Sequence, residues 1–235
     1  MKKIAVLTAL LFAALQIGYA QKVGLVLSGG GAKGAAHIGV IKALEENGIP
    51  IDYITGTSAG AIVGSLYAMG YTPEEMVELM LSEEFSYWQT GTVENEYKYY
   101  FKRPDPTPEF GHFSIDMTDS LQVKASFLPQ SLINPIQMNQ AFMALFSQAT
   151  AKAGWNFDNL FVPFRCVASD IYSKKAIIFK NGDLGDAVRA SMTFPFFFQP
   201  IWKDSVPIFD GGIYDNFPVG PMKEAFHPDF IFGST

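Results

Sequence analysis

The sequence predicts an α/β protein in which helices cover both faces of a mostly parallel central sheet, a three-layer α/β/α architecture. Two units carry this prediction, one over residues 22–47 and one over residues 51–69. Each reads as a short apolar strand, a glycine-containing turn and an apolar helix. Continuously apolar strands are typical of sheets that are buried on both faces. A strand, a crossover helix and a second strand place the two strands in parallel.

Later segments fit the same architecture. A threonine followed by a proline and two acids, beginning at Thr72, predicts the start of another helix. Residues 161–169, 176–179 and 228–235 read as strands, and a short helix starts at Asp186. These elements complete a chain that is long enough to bury one sizeable core.

Two segments each have two interpretations. The helix predicted over residues 135–153 is too apolar for a solvated surface, so it either packs centrally or lines an acyl pocket. Residues 86–113 are rich in tyrosine, tryptophan and proline, which predicts an irregular or hairpin insertion. That insertion either forms a lid facing lipid or covers the edge of the core. At the level of sequence both pairs of alternatives stay open.

Residues 1–20 have the pattern of a secretory signal peptide. Lys2 and Lys3 precede an apolar stretch that is shorter than the roughly 20 residues of a membrane span, and the expected cleavage follows Ala20. We therefore expect export to a periplasm, an outer envelope or the outside of the cell. The remaining residues 21–235 are expected to form one domain, and they are also compatible with the N-terminal part of a longer chain.

Charge and cysteine content exclude several classes of function. The chain carries a net charge of −6, which becomes −8 after removal of the two lysines in the expected signal peptide. Such a surface does not favour nucleic acid, nor attraction to anionic lipid through bulk charge. Cys166 is the single cysteine, so an internal disulfide is impossible, and its apolar setting predicts a packing role in a buried strand.

The candidate nucleophile is Ser58, in the stretch Gly56-Thr57-Ser58-Ala59-Gly60. A G-x-S-x-G sequence between a strand and a helix holds a serine on a sharp turn, and glycines leave room for the strained backbone and for an approaching ester. The start of a helix also favours negative charge through its unpaired N–H groups and its dipole. This pattern predicts a nucleophilic serine.

A glycine run, which includes Gly29, Gly30, Gly31 and Gly34, follows the first strand. Its backbone N–H groups can converge on an anionic oxygen, which predicts an oxyanion hole. The same glycines fit a G-x-G-x-x-G dinucleotide fingerprint, but the acid that should end the second strand is absent because the serine turn occupies that place. We therefore favour the oxyanion hole.

The candidate base is Asp210, which ends an apolar run and precedes Gly211 and Gly212. A buried carboxylate is a stronger base, so it can accept the serine proton without an imidazole. An alternative is a triad of Ser58, Asp210 and His227, in the chain order of α/β-hydrolases. Two other histidines are weaker candidates: His37 is expected to be structural, and His112 lies in the aromatic insertion.

These motifs together resemble the patatin-like phospholipase family, in which a glycine-rich oxyanion loop, a G-x-S-x-G turn and a D-G-[GA] turn occur in this order. A stretch with Ala190-Ser191 followed by Pro195, Phe198 and Pro200 is also similar to the family's segment ahead of the base turn. The resemblance implies that Ser58 is the nucleophile and Asp210 the base. It implies oxyanion N–H groups at Gly29, Gly30, Gly31 and Ala59, and supporting motif residues Lys33, Gly34, Gly56, Gly60, Gly211 and Gly212. Many relatives carry arginine in place of Lys33.

The resemblance further implies a lipid acyl hydrolase of the phospholipase A or lipase type that works through an acyl-enzyme. Neither a metal nor a cofactor is then required. The implied partners are a phospholipid or another acyl lipid and the membrane surface that contains it, without nucleic acid. With the signal peptide, we expect an exported bacterial member of the family. The alternatives are an esterase, thioesterase or acyltransferase acting on another acyl donor, or a lipid-binding domain without catalytic activity.

Overall fold

The computed structural model describes residues 21–92 and 131–235, together with the backbone of two strands at 112–116 and 122–126. The strands are β1 (Val23–Leu27), β2 (Tyr53–Thr57), β3 (His112–Asp116), β4 (Gln122–Ser126), β5 (Phe164–Asp170), β6 (Lys175–Phe179), β7 (Ile201–Lys203), β8 (Val206–Asp210) and β9 (Phe230–Ser234). The helices are α1 (Gly34–Glu46), α2 (Ala59–Ala68), α3 (Pro73–Leu81), α4 (Glu83–Thr90), α5 (Ile136–Lys152), α6 (Leu184–Ser191) and α7 (Val219–Phe226). The expected signal peptide lies outside the described residues.

One central sheet contains seven of these strands, in the order β7, β8, β5, β2, β1 and β9, with β6 also paired to β5. Strands β9, β1, β2 and β5 are parallel neighbours, as the two strand–turn–helix units predict. Strands β6, β7 and β8 join through antiparallel pairs, which local sequence patterns did not indicate. The predicted α/β class with a mostly parallel centre is confirmed, and an antiparallel extension lies beside β5.

Helices cover both faces of the sheet because alternate strand residues point to opposite sides. On one face, α2 lies against β1, β2 and β5, and a Cβ added at Gly64 of this helix would meet the side chains of Ile54 and Phe164 at 2.9 and 3.1 Å. On the other face, the ring of Phe226 in α7 stacks on Tyr53 at 4.6 Å and lies under the Arg165 guanidinium at 4.6 Å. The three-layer arrangement is therefore present.

The core forms mainly between the sheet and the helices on the α2 face. Every residue of α2 is buried, which explains why its sequence is almost entirely apolar or small. In α1 the buried residues Ile38, Ile41 and Leu44 are three apart, so this helix buries one stripe and exposes the rest. Cys166 is fully buried in β5, as expected, and burial raises the pKa of its thiol. Within the described part of the chain, Cys166 packs in the hydrophobic core.

Helix α3 begins as the sequence predicts. The Thr72 hydroxyl accepts a hydrogen bond from the Glu75 N–H at 3.3 Å, and the Glu75 carboxylate accepts one from the Thr72 N–H at 2.8 Å. This reciprocal capping box satisfies two N–H groups that a helix start leaves unpaired. Pro73 occupies the first helical position, where a missing N–H carries no cost.

The predicted insertion over residues 86–113 is wrong at its beginning. Residues 86–90 belong to α4, which is capped at its start by the Ser82 hydroxyl and ended by Gly91 in the left-handed conformation. Trp88 is buried on this helix because it packs edge-on against Phe142, with ring centroids 5.8 Å apart. Strands β3 and β4 form an antiparallel pair further along the chain, and residues 93–111 lie outside the described part. For the rest of the segment, a lid facing lipid and a cover for the edge of the core both stay predictions.

Candidate active site

Ser58 lies on the sharp turn between β2 and α2, as predicted. Its backbone has φ 53° and ψ −117°, a conformation that residues with a side chain rarely adopt. Such strain persists only where the surrounding structure holds it, and it is concentrated at functional sites. The turn presents the half-buried serine at the carboxyl end of β2 and at the amino end of α2.

The flanking glycines allow close packing of the chain rather than an unusual backbone angle. A Cβ added at Gly56 would overlap the carbonyl of Gly60, and a Cβ added at Gly60 would overlap the carbonyl of Leu27. Neither glycine has a positive φ. The strain lies on Ser58 itself, and the flanking glycines leave room for the tight turn, as the sequence predicts.

Strand β5 brings the candidate base to the nucleophile. Thr57, the last residue of β2, pairs with Val167, and Asp210, the last residue of β8, pairs with the next residue, Ala168. The carboxyl ends of β2 and β8 therefore meet at consecutive positions of a single strand. As a consequence, Ser58 and Asp210 come together although 151 intervening residues separate them in the chain.

The Asp210 carboxylate occupies a mostly buried position, and the residue is 5% exposed. Its Oδ1 accepts a hydrogen bond from the Gly212 N–H at 2.7 Å, and its own N–H donates to the Thr193 carbonyl at 2.8 Å. Burial raises the pKa of Asp210, while interaction with the Ser58 hydroxyl and the Gly212 N–H opposes the increase. A carboxylate of this kind accepts a proton more readily than one in water.

Two members of the glycine run turn their backbone into conformations that favour glycine. Gly30 has φ 146° and Gly31 has φ 31°. The N–H of Gly29 instead donates to the Asn216 carbonyl at 3.0 Å, and the Asn216 side-chain amide donates back to the Gly29 carbonyl at 3.3 Å. Gly29 therefore fixes the loop and has no N–H left for an oxyanion, which narrows the expected donors to Gly30, Gly31 and Ala59.

The remaining motif residues support the backbone around the site. The side chain of Lys33 lies over Gly30, where a Cβ would meet its Cδ at 2.8 Å. Gly34 begins α1 and is close to the side chain of Met80. Gly211 lies so near the Val167 carbonyl that a Cβ would overlap it. This close approach lets the chain turn directly after the base.

An apolar cavity of about 690 Å³ opens onto both candidate catalytic residues. Ser58 and Asp210 line it together with Gly31 and Ala59. Most of its other walls are aliphatic or aromatic, and they include Ile62, Met80, Trp88, Met138, Phe142 and Phe198. A volume of this size is within the range of small-molecule sites.

Helix α5 satisfies both interpretations of its apolar sequence, at different residues. Met138 and Phe142 line the cavity, whereas Phe146, one turn further on, is fully buried in the core. Met143, on another side of the helix, is 67% exposed. The helix therefore packs centrally and also forms one wall of the cavity.

Neither of the two histidines whose side chains are described can act as the base. His37 is fully buried, with its two ring nitrogens 2.7 Å from the Ser234 hydroxyl and 2.8 Å from the Ser28 carbonyl, and burial lowers its pKa. His227 is exposed at the end of α7, next to the amino end of β9. Because β9 and β1 run in the same direction as β2, His227 and Ser58 lie at opposite ends of the sheet. The alternative triad is excluded by this geometry.

Several polar residues around the site could not be found from the sequence alone. The Ser191 hydroxyl accepts a hydrogen bond from the Ser58 N–H at 2.9 Å. The hydroxyls of Thr55 and Thr57 donate to the carbonyls of Pro218 and Asp215, at 3.0 and 2.9 Å, and thereby hold the chain that follows the base. Ser191 belongs to a stretch that resembles the family, but the resemblance gave it no role. Asn216 had no signal beyond its position six residues after Asp210.

The described residues contain neither a candidate membrane-spanning helix nor a candidate metal site. None of the helices in this part of the chain is long and apolar enough to cross a membrane. Within the same residues, no group of three or more His, Cys, Asp or Glu side chains is arranged to hold a metal ion.

The fold and these groups define an α/β protein with a strained serine and a buried carboxylate that face one apolar cavity. The model of the patatin-like phospholipase family matches residues 25–223. The chain therefore belongs to the patatin-like phospholipase family, and the resemblance of the three motifs is confirmed.

Individual relatives agree with this assignment. Lysophospholipase NTE1 of Pyricularia oryzae is 32% identical over 213 residues, which cover 90% of the chain and 12% of that protein. A patatin-like phospholipase domain-containing protein of Caenorhabditis elegans is 29% identical over 203 residues, which cover 86% of the chain and 12% of that protein. The chain thus spans only a small part of the length of these relatives. Both are eukaryotic, so they give no support to the expected bacterial origin or export.

Among solved structures, VipD from Legionella pneumophila is similar to this chain with a TM-score of 0.51 and 16% sequence identity. The similarity covers 84% of this chain and 47% of that one. At this level of identity the comparison supports the fold and no finer property.

The close contact at Gly60 leads to a prediction about stability. We expect Gly60→Ala to lower the free energy of unfolding by about 1–3 kcal/mol, because the added methyl group would overlap the backbone of β1. Gly39→Ala is the matched control, since a Cβ at this exposed position in α1 has no atom within 4 Å. It should raise the free energy of unfolding by about 0.5–1 kcal/mol. Urea unfolding measures both, and wild-type stability of Gly60→Ala would contradict the described contact.

Proposed function

We propose that this domain hydrolyses carboxylic esters of acyl lipids through a dyad of Ser58 and Asp210. The observation that supports it most directly is that both side chains face one apolar cavity, with the carboxylate buried beside the serine. Membership of the patatin-like phospholipase family and the lysophospholipase names of relatives agree with this proposal. Neither a metal nor a cofactor enters the proposed reaction.

In the first half of the reaction, the Ser58 oxygen attacks the ester carbonyl while its proton passes to the Asp210 carboxylate. The negative charge that develops on the carbonyl oxygen is stabilised by N–H groups of Gly30, Gly31 and Ala59, which precede or begin helices. When the tetrahedral intermediate collapses, the carbon–oxygen bond to the alcohol breaks. Asp210 then gives its proton to the leaving alcohol, and the acyl group remains on Ser58.

In the second half, Asp210 removes a proton from a water molecule, which attacks the acyl-enzyme. The bond between the acyl carbon and Ser58 breaks, and the proton returns from Asp210 to the serine oxygen. The product is a fatty acid, and both side chains regain their starting state. One carboxylate therefore serves as base and acid in both halves of the cycle.

The walls of the cavity favour an acyl chain as the group that is bound. Burial of each methylene in an apolar site contributes about 0.8 kcal/mol, and aromatic and aliphatic side chains supply such a site beside Ser58. A phospholipid or another acyl lipid combines a long chain with an ester at its polar end. That combination matches an apolar cavity with polar groups at one point of its wall.

We also propose that the domain contacts the lipid surface through the aromatic loop, residues 194–198. Phe194 and Phe197 line the cavity, and Phe196 between them is 68% exposed with a positive φ of 68°. The loop is fixed by backbone hydrogen bonds at 2.9 Å from the N–H groups of Leu132 and Ile133. A bulky residue held in a strained and exposed conformation at the cavity suits insertion into a bilayer.

Export of the protein remains a proposal that rests on the signal-peptide pattern of residues 1–20. An exported hydrolase of this family would act on lipid outside the cytoplasm, in the periplasm, the outer envelope or the surroundings of the cell.

The dyad is tested by covalent labelling with a fluorophosphonate, read by intact mass, and by release of fatty acid from phospholipid micelles. We expect labelling of the wild type and none of Ser58→Ala, because the probe reacts with an activated serine. Asp210→Asn should lower kcat by about 100- to 10,000-fold, which is the usual contribution of a general base.

His227→Ala is the control for the alternative triad and should keep the wild-type rate. Absence of labelling in folded wild-type protein would contradict the enzyme and indicate a lipid-binding domain. Labelling with turnover of short esters or thioesters but not of lipids would instead identify another acyl donor.

The buried carboxylate also predicts a pH dependence. Asp210 must be ionised to accept a proton, and burial raises its pKa. The rate should therefore rise with pH through a midpoint above the ordinary value of about 3.9. Ionisation of a group whose folded pKa is raised reduces stability, so the stability of Asp210→Asn relative to the wild type should increase as pH rises through that midpoint. The pH profile of kcat/KM tests the rate, and urea unfolding at several pH values tests the stability difference. A rate that falls on the acid side with a midpoint at or below about 3.9, the acid limb of the profile, would contradict the described burial of Asp210.

The aromatic loop predicts a defect specific to membranes. Phe196→Asp should weaken sedimentation with phosphatidylcholine vesicles by about tenfold or more, since it removes apolar burial worth about 1.5–3 kcal/mol. Phe161→Asp is a matched control, because Phe161 is 76% exposed near the amino end of β5, at the far end of the sheet. Equal vesicle binding by the two variants would contradict the proposed contact.

A further inference from the structure

One short segment, residues 189–193 at the end of α6, contacts both members of the proposed dyad. The Ser191 hydroxyl accepts a hydrogen bond from the Ser58 N–H at 2.9 Å. Two residues later, the Thr193 carbonyl accepts one from the Asp210 N–H at 2.8 Å. Nucleophile and base therefore take their backbone positions from the same few residues.

Ser191 connects the nucleophile turn to the sheet. Its hydroxyl donates to the Val167 carbonyl at 2.5 Å while it accepts from the Ser58 N–H, and the residue is fully buried. Val167 is the partner of Thr57, the residue just before the nucleophile. The serine hydroxyl thus continues the attachment of β2 to β5 by one residue, at the point where the strained backbone of Ser58 leaves the sheet. A strained conformation persists only when such contacts hold it.

The Arg189 side chain reaches along the segment and binds Thr193 at its far end. Its Nη1 donates to the Thr193 hydroxyl at 2.6 Å, its Nε to the Asn139 side chain at 3.0 Å and its Nη2 to the Gln199 carbonyl at 3.0 Å. The guanidinium also lies 5.2 Å from the ring centroid of Phe198, which lines the cavity. The Arg189 side chain thereby connects three segments: α5, the turn at Thr193 whose carbonyl binds the Asp210 N–H, and the end of the aromatic loop.

This use of Arg189 is not explained by stability. The residue is 3% exposed, and its three hydrogen bonds go to an amide, a hydroxyl and a carbonyl, which are all neutral. Burial lowers the pKa of its guanidinium to about 10, and the nearby Asp186 opposes this decrease. Burying a charge against neutral partners is costly, and apolar residues of similar volume are often equally or more stabilising. What the planar guanidinium provides is a fixed spacing between three segments.

We infer that Ser191 and Arg189 are positioning residues for the hydrolysis proposed above, on which this inference rests. Ser191 holds the backbone of the nucleophile, and Arg189 holds the base through Thr193. Neither side chain takes part in a proton transfer. Their loss should therefore lower the rate of reaction at Ser58 while the affinity for substrate changes little.

The experiment compares Ser191→Ala and Ser191→Cys with the wild type, by the rate of fluorophosphonate labelling and by kcat and KM for lipid hydrolysis. Cysteine keeps the shape of the serine side chain, with a larger sulfur atom in place of oxygen, but is a weak hydrogen-bond acceptor. We expect labelling and kcat to fall by about tenfold or more in both variants, since misplacing reacting groups by about 1 Å costs up to about 100-fold. KM should stay within about twofold. The acid limb of the pH profile should not move, because the carboxylate keeps its contacts.

Ser65→Ala is the matched control for these variants. Ser65 is also fully buried, and its hydroxyl donates to a backbone carbonyl, that of Ile62, at 2.8 Å, without contact to Ser58. It should reduce the melting temperature as the Ser191 variants do and keep the wild-type labelling rate. A loss of rate that merely followed stability would appear in the control as well, and that result would overturn the role of Ser191.

Arg189→Lys tests the base. Lysine keeps the charge but lacks the planar fork that binds three acceptors, so the turn at Thr193 should shift. Because the Thr193 carbonyl holds the Asp210 N–H, Asp210 should then lose part of its contact with the Gly212 N–H. That hydrogen bond favours the ionised carboxylate, and we therefore expect the acid limb to move to higher pH and kcat to fall. Arg165→Lys is the control, since Arg165 is similarly buried but pairs with Asp158 at 2.6 Å, and it should leave the limb in place.

The outcomes separate this inference from the proposed function. Folded wild-type protein that does not label would overturn the proposed function and the inference with it. A labelled wild type, with Ser191→Cys at the wild-type rate and Arg189→Lys at the wild-type acid limb, would overturn the inference alone. Should the Ser191 variants fail to fold, the position of the acid limb in the pH profile of Arg189→Lys decides whether the inference stands or is overturned.

Discussion

Strand β5 is the element on which the geometry of the site depends. Its first residues pair with β2 and its later residues pair with β8, so the strands that end at the candidate nucleophile and base are aligned by one continuous backbone. Hydrogen-bonded ladders fix such spacings far more closely than loops do. The distance between Ser58 and Asp210 is therefore a property of the sheet, and the antiparallel extension beside β5 is what makes it possible.

Burial has opposite consequences for stability and for the chemistry we propose. The walls that would bind an acyl chain also remove water from Asp210, and this raises its pKa and makes it a better base. The same desolvation makes the ionised carboxylate unfavourable in the folded protein. The Gly212 N–H limits this cost by stabilising the charged form. The site thus holds a carboxylate whose pKa is raised by burial and whose charged form still accepts one backbone hydrogen bond.

Much of the fold and the identity of the two candidate residues could be predicted from sequence, because their signals are local. Strand, turn and helix patterns placed Ser58 at a turn and Asp210 at the end of an apolar strand, and the structure agrees. Contacts between distant residues could not be predicted, since Ser191 is 133 residues from Ser58 and Asn216 is 187 from Gly29. The use of the Gly29 N–H by Asn216 is therefore visible only in three dimensions. For the same reason, His227 could not be excluded before the strand order was known.

The proposed dyad without histidine would explain why polar contacts are concentrated around the base turn. An imidazole can bridge a serine and an acid through two nitrogens, whereas a single carboxylate must itself lie against the serine and has less tolerance for displacement. The backbone on both sides of Asp210 accordingly has several attachments, from Thr193 before it and from Thr55 and Thr57 to the chain after it. These hydrogen bonds add little to the apolar core, and their value lies in fixing where one carboxylate stands relative to one hydroxyl. In the proposed dyad, these backbone attachments around Asp210 would take over the positioning role that the third residue has in a triad.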